Sequence, residues 1–205
     1  MKNIYFILTS VIFSSCATTT IDSKRAPNYS VCGEVTLPSQ FSVTVPLSLT
    51  SETYEVKSNS GELLAKMTRT LGFGRPFEYY DAKNKLDFKT KQKLMSSGII
   101  TEASDCNDLQ FGIVKTNYER NSIFSNVTHF DVFDQNNRLL YKVEIVDKLE
   151  DQILIKDTSG QLLTFIEMIN GPNKWKVEIK DLTKINNRVI FSILSYKIYS
   201  ERNKE

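Results

Sequence analysis

The sequence predicts a mainly β domain built from repeated hairpins, with one long apolar segment near its C-terminus. A turn pattern recurs four times between strands of alternating apolar residues. The segment 187–199 is the longest apolar stretch of the domain. Aromatic and β-branched residues are plentiful while glycine and proline are few, which is typical of a folded, strand-rich chain rather than a disordered one.

The N-terminus has the parts of a secretory signal peptide in their usual order. Lys2 supplies a positive charge, residues 4–13 form a mostly apolar stretch, and the small residues Ser14 and Ser15 follow. The apolar stretch is too short to span a bilayer, which takes about 20 residues. The sequence therefore predicts an exported protein whose signal peptide covers 1–15.

The residues Phe13-Ser14-Ser15-Cys16 resemble the lipobox of bacterial lipoproteins, although Phe13 stands where leucine is most usual. The resemblance implies diacylation of Cys16, cleavage before it and acylation of the new amine, and several acyl chains anchor stably where one does not. Because no acidic residue follows at Ala17, it also implies the periplasmic face of the outer membrane. The alternative is an ordinary secretory signal cut near Ala17.

The remaining chain divides into a polar tether over 16–30 and a single β-rich domain over 31–205, long enough for its own core. The net charge is +2, and no basic run is dense enough to predict nucleic-acid binding. Cys32 and Cys106 form no Cys-x-x-Cys pair, which disfavours a redox or zinc motif. Outside the cytoplasm they are able to form a disulfide, and two free or buried thiols are the alternative.

The repeated turn has Asp or Ser at its first position and Gly or Asn at its fourth. A side-chain oxygen at the first position accepts hydrogen bonds from backbone amides further on, and Gly or Asn at the fourth tolerates a positive φ. Together they predict a type I turn that closes a bulged hairpin. The first two turns are 23 residues apart, as are the last two, which suggests a duplicated pair of hairpins. The turns are 58–61, 81–84, 134–137 and 157–160.

The flanking residues alternate as strands do when one sheet face is buried, for example around 143–145 and 175–179, and a further turn is predicted at 171–173. The segment 187–199 is open to two interpretations. Asn186 or Asn187 suits a helix cap, and a helix that is apolar nearly all round must be buried on most sides. Its β-branched residues suit a final strand as well.

The hairpin at 130–143 has the form F-x-V-F-D-x-x-N-x-L-L-Y-K-V, and the terminal segment 186–199 reads NNRVIFSILSYKIY. Both resemble the tubby C-terminal-like superfamily, and most closely its LURP-one-like and scramblase-like branch, over about 41–200. The resemblance implies an antiparallel β-barrel that wraps a hydrophobic C-terminal helix. An all-β lipocalin-like barrel or a sandwich is the alternative. Some relatives bind phosphoinositide headgroups through basic residues, but no matching Lys/Arg set occurs here.

Residue types that carry out catalysis or bind metals are sparse. His129 is the only histidine and begins a strand, and no Gly-x-Ser-x-Gly motif is present, so we expect a structural histidine. One histidine and two unclustered cysteines make a transition-metal site or a cofactor unexpected. The acidic runs 105–108 and 131–137 lack the spacing of a calcium loop.

We therefore expect a membrane-anchored envelope lipoprotein that acts as a non-enzymatic binding or scaffolding module. Its expected partners are the membrane, through the lipid on Cys16, and a lipid or an envelope protein. The alternatives are a lipocalin-like carrier of an apolar ligand and an envelope hydrolase with an unrecognised carboxylate site.

Overall fold

The computed structural model describes residues 30–46, 53–72, 74, 76–95, 98–117, 126–147, 151–169 and 174–202. The signal peptide, Cys16 and the turn predicted at 171–173 lie outside these ranges. The described elements are β1 (Gln40–Thr44), β2 (Thr53–Ser58), β3 (Leu63–Arg69), β4 (Phe77–Asp81), β5 (Leu86–Met95), β6 (Gly98–Asp105), β7 (Gln110–Thr116), β8 (Val127–Asp134), β9 (Leu139–Val146), β10 (Gln152–Asp157), β11 (Leu162–Met168), β12 (Lys174–Ile179) and α1 (Asn187–Arg202).

Each strand pairs antiparallel with the next, and β12 pairs with β1, so the sheet closes into a barrel. Closure removes the unpaired edges that an open sheet presents to other chains. The alternation expected from the sequence is present in β12, where Trp175 and Val177 are buried while Lys174 and Lys176 are exposed. The predicted antiparallel barrel is confirmed, and the sandwich alternative is wrong.

Helix α1 lies inside the barrel, because its side chains contact strands on several sides of the wall. Phe191 packs against Phe41 of β1, Tyr79 of β4 and Phe88 of β5. Further along the helix, Tyr196 packs edge-on against Phe130 of β8, with ring centroids 5.1 Å apart. Each apolar side chain buried in this way contributes about 1.5–3 kcal/mol to the free energy of unfolding.

The predicted C-terminal helix is confirmed, and the strand alternative for 187–199 is wrong. Asn186 caps the helix, since its Oδ1 accepts a hydrogen bond from the Arg188 N–H at 2.9 Å. Ile190, Leu194 and Ile198 are fully buried. A closed barrel leaves a lumen that must be filled, and a helix that is apolar nearly all round fills it. That burial outweighs the preference of β-branched residues for strands.

Five hairpins share the predicted turn geometry, one more than the sequence pattern identified. In each, a side-chain oxygen of the first residue accepts a hydrogen bond from the amide four positions on. The fifth turn begins at Asp105, and the pattern missed it because Asp108 fills the fourth position. The spacing of the turns suggested a duplicated pair of hairpins. The structure instead has five equivalent hairpins, so the repeating unit is one hairpin. The fourth residues have positive φ: Gly61 (87°), Asn84 (62°), Asp108 (64°), Asn137 (60°) and Gly160 (93°).

Each of these hairpins also carries a bulge at the same place, six residues after the first turn residue. A bulge leaves one residue unpaired and re-aims its side chain. All five bulges lie at one end of the barrel, because alternate turns of an up-and-down barrel share an end; we refer to it as the turn end. Four of the bulge residues are large and apolar, and one is acidic. They are Leu64, Asp87, Phe111, Leu140 and Leu163.

The turn geometry makes a prediction for Gly160, where a Cβ would have no atom within 4 Å and any cost comes from the backbone alone. Gly160→Ala is expected to lower the free energy of unfolding by about 1 kcal/mol, because alanine resists a positive φ. Gly160→Asn should cost less, since Asn84 and Asn137 hold the same position in other turns. Urea denaturation measures both variants. An asparagine variant as unstable as the alanine variant would contradict this explanation.

Candidate functional site

An extended segment over 30–39, which we call the strap, crosses the turn end before β1 begins. Val35 and Leu37 are buried in the core, whereas Glu34 and Thr36 between them are exposed. The Gly33 N–H donates to the Leu86 carbonyl at 2.7 Å, which attaches the strap to β5. The strap therefore covers part of the barrel opening next to the first turn of α1.

A disulfide between Cys32 and Cys106 fastens the start of the strap to the turn between β6 and β7. The two Cα atoms are 5.5 Å apart, and the residues are separated by 74 positions in the sequence. Beside the bond, the Asn107 amide donates to the Ser30 carbonyl at 3.0 Å and accepts from the Ser30 N–H at 2.8 Å. A cross-link over this length stabilises a fold by roughly 4 kcal/mol, mainly by restricting the unfolded chain.

The carboxylate of Asp87 connects the barrel wall, the strap and the helix. Its Oδ1 accepts hydrogen bonds from the Arg188 Nε at 3.1 Å and the Arg188 Nη2 at 2.5 Å. The same carboxylate accepts a hydrogen bond from the Val35 N–H of the strap. Asn187 completes the connection by donating to the Val35 carbonyl at 3.0 Å. Asp87 reaches these partners because the bulge in β5 turns its side chain inward.

Burial governs the electrostatics of this pair. It raises the pKa of Asp87 above the ordinary value of 3.8, while the hydrogen bonds and charge of Arg188 oppose the rise. The guanidinium also lies over two aromatic rings, 4.8 Å from the centroid of Phe111 and 5.8 Å from that of Phe88. A buried pair of this kind adds little net stability, but removing one partner leaves an uncompensated charge. The pair therefore serves to position the helix.

Two grooves flank the strap at the turn end. One, of about 480 Å³, lies between the strap and the start of α1, and Leu182 and Arg188 contribute to its lining. The other, of about 510 Å³, lies between the strap and the turns of the first two hairpins, beside Lys85. Glu34 and Thr36 line both grooves. Each volume lies within the roughly 300–1,000 Å³ of small-molecule sites, so these are the candidate binding surfaces.

Polar groups inside the barrel hold the middle of the helix in place. The Tyr79 hydroxyl is 2.6 Å from the Ser195 Oγ and 3.0 Å from the Thr90 Oγ1. Burial raises the pKa of Tyr79 far above its ordinary value of 10, so the phenol stays neutral. The Tyr79 hydroxyl therefore serves to join the barrel wall to the helix by hydrogen bonds.

A second ion-pair cluster lies near the C-terminal end of α1. Lys197 has a side chain only 3% exposed, and its Nζ binds the carboxylates of Asp147 and Asp151, the latter at 3.0 Å. Asp147 directly follows β9, and Asp151 directly precedes β10. The helix is therefore held to the barrel by ion pairs near both of its ends.

His129, which a Ser-His-Asp arrangement in this chain would require, lies apart from the serines of the helix. His129 lies on the outer face of β8 opposite Glu144, whereas Ser192 and Ser195 are buried on the enclosed helix. In the acidic run 105–108, the Asp105 carboxylate accepts the turn's own amide hydrogen bonds. Across the described ranges, no group of three or more His, Cys, Asp or Glu side chains is placed to hold a metal ion.

Asp87 and Arg188 were not among the residues predicted from the sequence. A signal for Asp87 exists, since it stands six residues after a turn residue, where the other hairpins carry leucine or phenylalanine. Alignment of the hairpins on their turns identifies it as the one charged bulge residue. Its partner Arg188 is 101 positions away, and no local pattern indicates that pairing.

No family model, curated protein or solved structure matches this chain. Within the described part of the chain, α1 falls short of the length and apolarity that a membrane-crossing helix needs.

The Asp87–Arg188 pair generates a prediction about stability. Asp87→Leu places the commonest bulge residue at this position but leaves the Arg188 charge and the Val35 N–H without their acceptor, so the free energy of unfolding should fall by about 3 kcal/mol. The double variant Asp87→Leu/Arg188→Leu should recover the part of that loss that comes from the unpaired charge, while the Val35 N–H still lacks its acceptor. Urea denaturation of the two single variants and the double variant measures the coupling. Strictly additive losses would show that the two residues do not act as a pair.

Proposed function

We propose that this chain is an envelope lipoprotein whose barrel is a non-enzymatic binding or scaffolding module, held at a membrane by lipid on Cys16. The observation that carries the proposal is the filled lumen. Helix α1 occupies the interior, and the polar side chains that it shares with the wall, from Arg188 to Lys197, are engaged in holding it there. Partners therefore meet the outer surface, where the two grooves provide concave sites.

The position of the strap supports the proposed anchor. Residues 16–30 link Cys16 to the strap and span at most about 50 Å when fully extended, at roughly 3.5 Å per residue. Ser30 is bound to Asn107 at the turn end. Acyl chains on Cys16 would therefore hold the turn end and both grooves within that distance of a bilayer. The Cys32–Cys106 disulfide supports an oxidising compartment, as the periplasm is.

We further propose that the domain is a tubby-like barrel. A closed antiparallel barrel around a C-terminal helix is the architecture that the sequence resemblance implied. A fold alone does not specify a ligand, and the proposed binding surface is therefore taken from the two grooves beside the strap. A lipid or an envelope protein is the proposed class of partner.

The two alternative functions receive less support from the geometry. A lipocalin-like carrier needs a hollow barrel, but two cavities between α1 and the wall of β6–β9 measure about 80 Å³ and 130 Å³, each well below roughly 300 Å³ for small-molecule sites. A glycoside hydrolase needs two carboxylates facing a cleft. Asp147 and Asp151 lie together, but both bind Lys197.

The anchor is tested by Cys16→Ser, which removes the acylated thiol. The wild-type protein should fractionate with membranes and carry acyl mass on its N-terminal peptide, and the variant should appear in the soluble envelope fraction. The double variant Cys32→Ser/Cys106→Ser is the control and should keep its anchor. Membrane retention of the Cys16 variant, with no acyl mass on the wild-type peptide, would remove the lipoprotein assignment.

The binding surface is tested by Thr36→Arg, which places a long charged side chain where both grooves meet. Affinity capture from the native envelope, with lipids and proteins both identified, should recover a partner with the wild type and lose it with this variant. Thr44→Arg is the matched control, because Thr44 is also exposed but lies at the far end of β1. A partner that binds both variants equally would place the interaction outside the grooves.

A further inference from the structure

The strap consists of two halves that are held in different ways. In the second half, Val35 and Leu37 are buried, and Val35 is bound by Asp87 and Asn187. The first half, 30–34, buries no large side chain, and Val31 is 79% exposed. Apart from backbone and side-chain hydrogen bonds, the disulfide is what holds it.

We propose that the Cys32–Cys106 disulfide is a redox latch whose reduction frees strap residues 30–34 and opens the groove that they border. That groove is lined by Cys32, Gly33 and Glu34 on the strap side and by Asp81 and Lys85 on the opposite side. The second half of the strap stays in place, because its contacts with Asp87 do not involve the disulfide. The inference rests on the grooves being the partner-facing surface proposed above.

The contact that the latch maintains is close. The Gly33 N–H bonds to the Leu86 carbonyl, and a Cβ at Gly33 would lie 2.4 Å from the Lys85 carbonyl oxygen. Only glycine allows the strap to approach this turn, since a backbone oxygen cannot move aside as a flexible side chain does. The docked position is therefore specific, and a small change at Gly33 displaces the same half of the strap without breaking the disulfide.

The disulfide is placed where a reductant can reach it. Cys32 and Cys106 are both half-buried at the rim of the barrel, next to the exposed residues Val31 and Leu109. The co-reactant is a dithiol, either a small molecule or a thioredoxin-like protein. One of its thiolates attacks a sulfur of the bond to give a mixed disulfide, and its second thiol resolves that intermediate. The chain gains two electrons and two protons as two thiols, and the dithiol becomes a disulfide.

Hydrogen–deuterium exchange on the purified mature chain tests the latch, with and without dithiothreitol. Reduction should speed exchange of the Ser30 and Gly33 amides by about tenfold or more, because these N–H groups bond to Asn107 and Leu86 across the strap contact, and a locally opened segment loses its protection. At labelling times short enough that the amides of β11 and of 190–198 stay unexchanged in the oxidised chain, they should stay unexchanged in the reduced chain as well, since losing the cross-link raises only their slow exchange through global unfolding. Unchanged rates at the strap, or exchange of those core amides at the same labelling times, would overturn the proposal.

Two variants keep the test decisive if reduction itself disturbs folding. Gly33→Ala should raise exchange of the amide at position 33 while the disulfide stays intact, because the added methyl group meets the Lys85 carbonyl and displaces this amide from the Leu86 carbonyl. Gly160→Ala is the matched control, since a Cβ there meets nothing within 4 Å, and it should leave the strap unchanged. Equal behaviour of the two variants would contradict the proposed contact. These measurements need no lipid, so their outcome is separate from that of the Cys16 experiment.

Discussion

The buried carboxylate of Asp87 joins three segments that are distant in the sequence: the strap at Val35, the wall at β5 and the helix at Arg188. Burial of apolar surface drives the helix into the barrel, but that force has no direction and does not specify how deep the helix sits or how it is rotated. Directional contacts supply that information. The Asp87 pair acts near one end of α1, Tyr79 acts at the middle, and Lys197 acts near the other end.

The meeting of strap, helix and grooves at one end follows from the hairpin repeat. After β12, Asp181 begins one more turn, in which its Oδ1 accepts a hydrogen bond from the Thr183 N–H at 3.0 Å, as in the other aspartate turns. A sixth hairpin would continue from there into a strand beside β12. Instead the chain enters α1, and β1 takes the place of that strand. The strap that leads to β1 and the start of α1 therefore lie together, at the place between β12 and β1 where the hairpin repeat is interrupted.

The local parts of this fold were predictable from the residues themselves, whereas the barrel was implied only by the family resemblance and the Asp87–Arg188 pair was not predicted at all. Turn residues and alternation predicted the hairpins, since both signals arise within a few residues. The turn at Asp105 was missed because Asp108 adopts a positive φ that the pattern reserved for Gly or Asn. Periodicity did not separate helix from strand at 187–199, because a segment buried on all sides has no polar face. The segment is a helix because it fills the lumen of the barrel, and that lumen exists only once the sheet is closed. Closure of the sheet also brings Asp87 next to Arg188.

The interactions that hold each segment determine which segment can move while the rest of the domain stays folded. Every strand of the barrel is paired on both sides, so no strand can leave without breaking two ladders of hydrogen bonds. The helix is enclosed and held by ion pairs near both ends. The first half of the strap belongs to neither system, because it lies outside the ladders and buries no large side chain. The Cys32–Cys106 disulfide holds this half in place, where the other segments are held by packing. Because a disulfide can be reduced and re-formed, we propose that this half of the strap is the part of the groove border that can move.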